Sequence, residues 1–181
     1  MNWFFEGYQA EYEETGDGRR KKRLVYRGEY YGFPGGRAEQ RTVRWACTGL
    51  SLLTVGLNLL DQFFPAQGGM VRWMAIPSLL SLVPMIFLVM GLINFWMAGE
   101  QWEIRVFYAG YRRLWRWGLA YGGLMVLWLA MELAFVIGNP GLLGEELVYC
   151  LILAAATAAQ GAQLILIRRH PARVVKGPEI R

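Results

Sequence analysis

One carboxylate stands inside an otherwise apolar run. Residues 117–137, WGLAYGGLMVLWLAMELAFVI, carry Glu132 and no other charged side chain. In such surroundings a carboxylate can hold a proton, bind a cation or accept a structural hydrogen bond, and each role needs polar partners from elsewhere in the chain. Asn58 and Asp61, three residues apart and so on one helical face, are candidates, with Arg72, Asn139 and Tyr149. Together with Glu132, the residues Asn58, Asp61, Arg72 and Tyr149 make a candidate intramembrane polar site.

A second group of reactive side chains is cationic. Arg19, Arg20, Lys21, Lys22 and Arg23 form one block, and Arg112, Arg113 and Arg116 precede the third apolar run. Beside a bilayer such residues attract anionic lipid, at ~1 kcal/mol each. They are candidate sites facing lipid or a protein partner, and neither block requires nucleic acid.

Enzyme chemistry finds no constellation. His170 is the single histidine and sits in the basic tail without Cys or His neighbours, so no metal site is expected. The glycines of residues 26–36, YRGEYYGFPGG, lack the Gly-Lys-Ser/Thr ending of a phosphate loop. An intramembrane lipid enzyme would need a nucleophile and a base converging in the apolar runs, where Ser, Thr, Tyr and Glu132 are what is available. No catalytic residue and no cofactor are assigned. Cys47 and Cys150 fall near opposite ends of their runs, ~20 Å apart in depth by helical rise, too far for a disulfide.

The elements that would position these groups are four apolar blocks, at residues 43–64, 71–98, 117–137 and 147–167. A helix rises ~1.5 Å per residue and the hydrocarbon core is ~30 Å thick, so each block is long enough to span it. The expected fold is an all-α membrane protein, a four-transmembrane-helix bundle. Residues 1–42 form an aromatic and basic segment before it, and residues 168–181 a basic tail after it.

Basic residues set the orientation. Nine lie before or at the inner boundary of the first span, Arg44 being the last, four separate spans two and three, five follow span four, and Arg72 alone stands at the junction of spans one and two. The positive-inside rule then puts both termini in the cytoplasm, with the cell membrane as the expected location. The chain opens on Trp, Phe and acidic residues, so no signal peptide is expected.

Local patterns refine this outline. In the first segment Trp3, Phe4, Tyr8, Glu11 and Tyr12 suit a short amphipathic helix on the membrane surface, ended by Gly16 and Gly18; a docking arm for another protein is the sharper reading of so many aromatics. Residues 26–36 read as an extended piece broken at Pro34, Gly35 and Gly36. Pro77 and Pro84 should kink or loosen span two, with Ser78 or Ser81 satisfying freed carbonyls. Ile104, Phe107, Tyr108, Tyr111, Leu114 and Trp115 recur at helical spacing opposite arginines, which predicts an interfacial amphipathic helix or a cytoplasmic extension of span three. Arg41-x-x-Arg44-Trp45 and Arg113-x-x-Arg116-Trp117 hint at two like hairpins, although anchoring alone accounts for Arg-Trp at a boundary. Small residues from Ala154 to Ala162 mark span four as the packing helix, in which Gln160 and Gln163 should bond to neighbours. Glu145 and Glu146 fall in the loop before it.

These features point to a non-catalytic integral membrane subunit or scaffold that presents cytoplasmic arms to a protein partner or a second copy. The alternative is a small transporter or channel using Glu132 for proton or cation coupling.

Overall fold

The computed structural model describes residues 7–14, 20–61 and 72–175. Strands β1 (Tyr8–Glu14) and β2 (Arg20–Tyr26) form an antiparallel hairpin, and β3 (Tyr30–Gly32) leads through a turn into α1 (Gly36–Asp61). Helix α2 (Arg72–Met97) follows, then α3 (Ile104–Phe107), a π-helical turn at Tyr108–Arg112 and α4 (Arg113–Gly138). A 3-10 turn at Pro140–Leu142 leads into α5 (Leu143–Arg169), and β4 (Arg173–Val175) returns antiparallel to β3. Four helices are long and apolar enough to cross a membrane: Gly36–Leu60, Ile76–Met97, Ile104–Gly138 and Glu146–Arg169. The chain is thus of the multi-pass integral membrane class. Pairing of β3 with β4 brings the segment before α1 and the segment after α5 together at one end of the bundle, here called the terminal end.

Each long helix buries a narrow stripe and leaves the rest apolar and open. On α4 the buried residues Leu114, Gly118, Tyr121, Met125, Trp128, Glu132 and Val136 recur every three or four positions, the repeat of one helical face. On α1 the stripe is Gln40, Val43, Cys47, Ser51, Thr54 and Asn58, mostly polar. Outward residues such as Leu52, Leu79, Ile86 and Val126 are each more than half exposed. That arrangement inverts the rule for a soluble fold and suits a hydrocarbon surround, where polar groups must turn inward.

Helix α5 packs on both α1 and α4, while α2 packs mainly on α4 and touches α1 far less. The approach of α2 to the α3–α4 run depends on two glycines. A Cβ on Gly91 would lie 3.0 Å from the Leu114 amide nitrogen, and one on Gly110 would lie 3.1 Å from the Phe95 amide nitrogen. Both obstacles are backbone, which cannot swing aside. The small cluster on α5 is used only in part: Ala156 and Ala159 are buried, whereas Ala155, Ala158 and Ala162 face outward.

The terminal end has a second core, built from rings. Trp102 is buried among Phe33, Phe95, Phe107 and Tyr111, with centroids 5.3, 5.6, 6.4 and 6.0 Å away. The apolar residues at helical spacing on residues 104–115 therefore pack on protein at Phe107, Tyr111 and Leu114, which are all buried. Helical structure runs continuously from Ile104 into α4, with the π turn carrying Gly110 against α2.

Two expectations need correction. No helix forms at Tyr8–Glu14, which is a strand; Trp3 and Phe4 lie outside the described residues. Period-two alternation of Tyr8, Ala10 and Tyr12 with Gln9, Glu11 and Glu13 prevails there, and the register sets Glu11, Glu13 and Glu14 opposite Arg23, Lys21 and Arg20. The charge segregation along the sequence becomes opposite charge across a ladder. In α2, which runs on through Pro77 and Pro84, the Ser81 hydroxyl donates to the Ser78 carbonyl at 2.7 Å and not to a carbonyl freed by either proline.

The glycine contact at the α2–α4 crossing is open to measurement. Gly91→Ala should cost about 1–3 kcal/mol through overpacking and lower the melting temperature in detergent. Gly123→Ala, where nothing lies within 4 Å of the added methyl, should leave it unchanged or raise it.

Candidate functional site

The first candidate site is a buried polar seam where α1, α4 and α5 meet. Glu132 lies on the inward stripe of α4 and is completely buried. Helical rise puts it ~9 Å from the end of α4 at Gly138, away from the terminal end. Glu146, on the first turns of α5, is also completely buried. Glu146 is not in a loop: α5 begins at Leu143, and Glu146, Tyr149, Leu153, Ala156, Gln160, Gln163 and Ile167 form its inward stripe.

The residues expected beside Glu132 are placed as follows. Asn58 is 5% exposed, but its amide meets the Met125 sulfur at 3.4 Å. Asn139 donates to the Phe135 carbonyl of its own helix at 2.9 Å. Tyr149 is buried on α5 near Trp128, with ring centroids 6.3 Å apart. Asp61 and Arg72 end α1 and begin α2, and their side chains lie outside the described residues.

Toward the terminal end the seam continues as neutral amides and hydroxyls. Ser51 donates to the Gln163 carbonyl oxygen at 3.1 Å, joining α1 to α5. Gln160 donates to the Gly118 carbonyl at 3.0 Å, joining α5 to α4. Room for Gln160 comes from missing side chains, since a Cβ at Gly118 or Gly122 would stand 3.2 or 3.3 Å from it. Gln160 Oε1 and Gln163 Nε2 are buried with no hydrogen-bond partner among the described residues. Chemically the seam can hold protons or a small cation at its carboxylate end and bridge helices along the rest.

The second candidate site is the platform at the terminal end. Its centre is the last carbonyls after α2, which have no partner within the helix. Gly99 O accepts from Gln40 Nε2 at 2.7 Å and from Trp102 Nε1 at 2.9 Å, and Arg44 Nη2 donates to Ala98 O. Tyr31 and Trp102 exchange backbone hydrogen bonds of 2.8 and 2.7 Å, which stitches β3 to the same loop. Arg37 pairs with Glu100 at 2.5 Å and Glu39 with His170 at 2.6 Å, while Glu39 also accepts from the Gly35 N–H, in front of Gly36 with its φ of +65°. Tyr111 Oη lies 2.9 Å from both Ile167 O and His170 O, at the end of α5.

From this platform the β1–β2 hairpin is held at its base. Tyr8 and Tyr26 face each other across the ladder, with centroids 5.0 Å apart. The Tyr8 hydroxyl donates to Glu103, and Tyr26 accepts from the Ile104 N–H at 3.2 Å while donating to Glu29 O at 2.7 Å. Farther out, Tyr12 and Leu24 are 67% and 53% exposed.

The two basic groups do not converge. Arg19 lies outside the described residues, and Arg20, Lys21 and Arg23 occupy ladder positions opposite acids, while Lys22 is exposed opposite Tyr12. Arg112 and Arg116 are exposed and Arg113 half-buried on the α3–α4 run, with the Arg112 guanidinium 5.9 Å from the Tyr108 ring centre. No known protein family, curated protein or solved structure matches this chain.

Burial and then the neighbouring Glu103 carboxylate push the Tyr8 phenol from the usual 10 up to about 12. A raised pKa means that the folded state favours the neutral phenol. Its contribution to holding the hairpin is complete below pH 10 and is lost as pH rises from 10 toward 12. An alkaline titration of tyrosinate absorbance should therefore show a late component that Tyr8→Phe makes smaller by one tyrosine.

Proposed function

We propose that this chain is a non-catalytic integral membrane subunit or scaffold, anchored by its four helices in the cell membrane with both termini in the cytoplasm. The carrying observation is the β1–β2 hairpin, fastened to the platform through Tyr8 and Tyr26 and forming a sheet with no third strand among the described residues. A two-stranded hairpin is marginal alone, and its outer edges present backbone donors and acceptors that an extended segment of a partner, or of a second copy, can complete. The platform supports this reading because it holds the hairpin's base against the helix ends by hydrogen bonds and ring packing. Arginines on residues 105–116 would lie at headgroup level beside it, as an interfacial extension of span three. Full-length protein purified in mild detergent from its native membrane should carry a stoichiometric partner or a second copy. Removal of residues 1–25, which leaves Tyr26 and the helices in place, should release that partner without changing the melting temperature. An identical, partner-free particle from both forms would overturn the proposal.

A second reading is favoured by one specific observation, the complete burial of two carboxylates on the inward stripes of their helices, Glu132 on α4 and Glu146 on α5. Intramembrane acids so placed are used for proton or cation coupling in transporters. On that reading, reconstituted protein should carry a proton or cation flux that falls at least about tenfold in Glu132→Gln or Glu146→Gln, the factor that ~1.4 kcal/mol of lost coupling gives. Equal flux in wild type and both variants, followed with a pH-sensitive dye in liposomes, would remove these residues from any transport mechanism.

A further inference from the structure

Between the terminal ends of α1 and α2, on the side of the platform that carries Arg37, Gln40, Arg44 and Glu100, lies a cleft of about 540 Å³. Its α1 wall is Arg37, Arg41 and Arg44, at i, i+4 and i+7 and hence on one helical face. Opposite stand Trp96 and Glu100, with Trp45 at the lower rim. Three guanidinium groups face one carboxylate. Glu100 is engaged by Arg37 at 2.5 Å, so Arg41 and Arg44 carry the unbalanced charge. Arg41 is exposed. Arg44 is held in place by the Ala98 carbonyl and by the rings of Phe95 and Trp96, 5.3 and 5.9 Å from its guanidinium carbon. Its Nε is buried and has no hydrogen-bond partner among the described residues.

The lower part of the cleft differs in character. The Trp45 and Trp96 rings meet edge to face at 5.0 Å, and the Trp96 indole donates to Thr48 at 2.7 Å. From these rings an apolar strip descends each helix: Leu52 and Leu59 on α1 at seven-residue spacing, and Ile93, Val89 and Ile86 on α2. All are exposed, and Gly49 and Gly56 on the α1 strip have nothing within 4 Å of where a Cβ would be. The region thus stacks fixed cations, then a tryptophan pair, then bare hydrocarbon. That is the order of phosphate, glycerol level and acyl chains in a lipid monolayer.

We propose that this cleft is a discrete binding site for one anionic phospholipid, its phosphate held by Arg41 and Arg44 and its chains lying along the exposed strips of α1 and α2. Guanidinium groups suit phosphate oxygens better than lysines would, because their paired N–H donors match two oxygens at once. Soluble phosphate would satisfy the arginines but leave the tryptophan pair and the strips uncovered. The site needs only that the helices span a bilayer, so it stands or fails separately from the scaffold reading.

The test uses full-length protein in detergent micelles, titrated with phosphatidylglycerol or phosphatidylcholine and followed by native mass spectrometry and thermal melting. One phosphatidylglycerol should bind in preference to phosphatidylcholine and raise the melting temperature. Arg41→Gln combined with Arg37→Gln should weaken that binding by about tenfold or more, from the lost charge-assisted contacts. Arg113→Gln with Arg116→Gln removes the same charge at the same end of the bundle and should leave the affinity within about twofold, since screening confines such exposed charges to their own neighbourhood. Equal weakening by the two pairs would mean a general surface potential and overturn the site. Inorganic phosphate that displaced the lipid, or raised the melting temperature by itself, would overturn the assignment to lipid. Folding of each variant is checked by its lipid-free melting temperature, and Arg41→Gln alone, which touches no described partner, repeats the measurement if the pair is unstable.

Discussion

Unpartnered carbonyls at the end of α2 are the point on which the terminal half of the molecule turns. A helix leaves its last carbonyls without internal donors, and here Gln40, Arg44 and Trp102 supply them from α1 and from the following loop. Those bonds fix α1 against α2, helices that otherwise touch little. They also hold Trp102 where its backbone can pair with Tyr31 and its ring can gather Phe33, Phe95, Phe107 and Tyr111. Strand pairing, ring packing and the arginine cleft between α1 and α2 all follow from one capping arrangement.

Deeper in the bundle a different constraint operates. Hydrocarbon offers no hydrogen bonds, so the polar side chains of the spans collect on the inward stripes, and Ser51–Gln163 and Gln160–Gly118 become joints between helices. Glycine takes part by absence: Gly118 and Gly122 leave the volume that Gln160 fills. Near the far end the same logic brings Glu132 and Glu146 inward together, and the two joints and two acids lie along one seam.

The aromatic amino-terminal segment divides into two parts with separate roles. Tyr26, Tyr31 and Phe33 belong to the platform, whereas the strands beyond Tyr26 extend from it with Tyr12 and Leu24 open. The ladder register sets the acids that come first in this stretch opposite the bases that follow.

The sequence by itself determined the four spanning helices, because length and hydropathy answer directly to bilayer thickness, and it placed Glu132 on one of them. It also carried the turn at Pro34–Gly36, since glycine and proline act on their own backbone. What the tertiary structure alone decided was pairing. Whether Tyr8 to Glu14 would be helix or strand depended on residues 20–26 lying alongside, and Glu146 became a buried acid because α5 starts early enough to turn it toward α4. The contact of Asn58 with Met125, and Arg44 capping α2, are further cases. Each depends on the rotation and depth of one helix against another, which are set by glycine contacts, caps and ring packing between distant segments and leave no periodic mark in the chain.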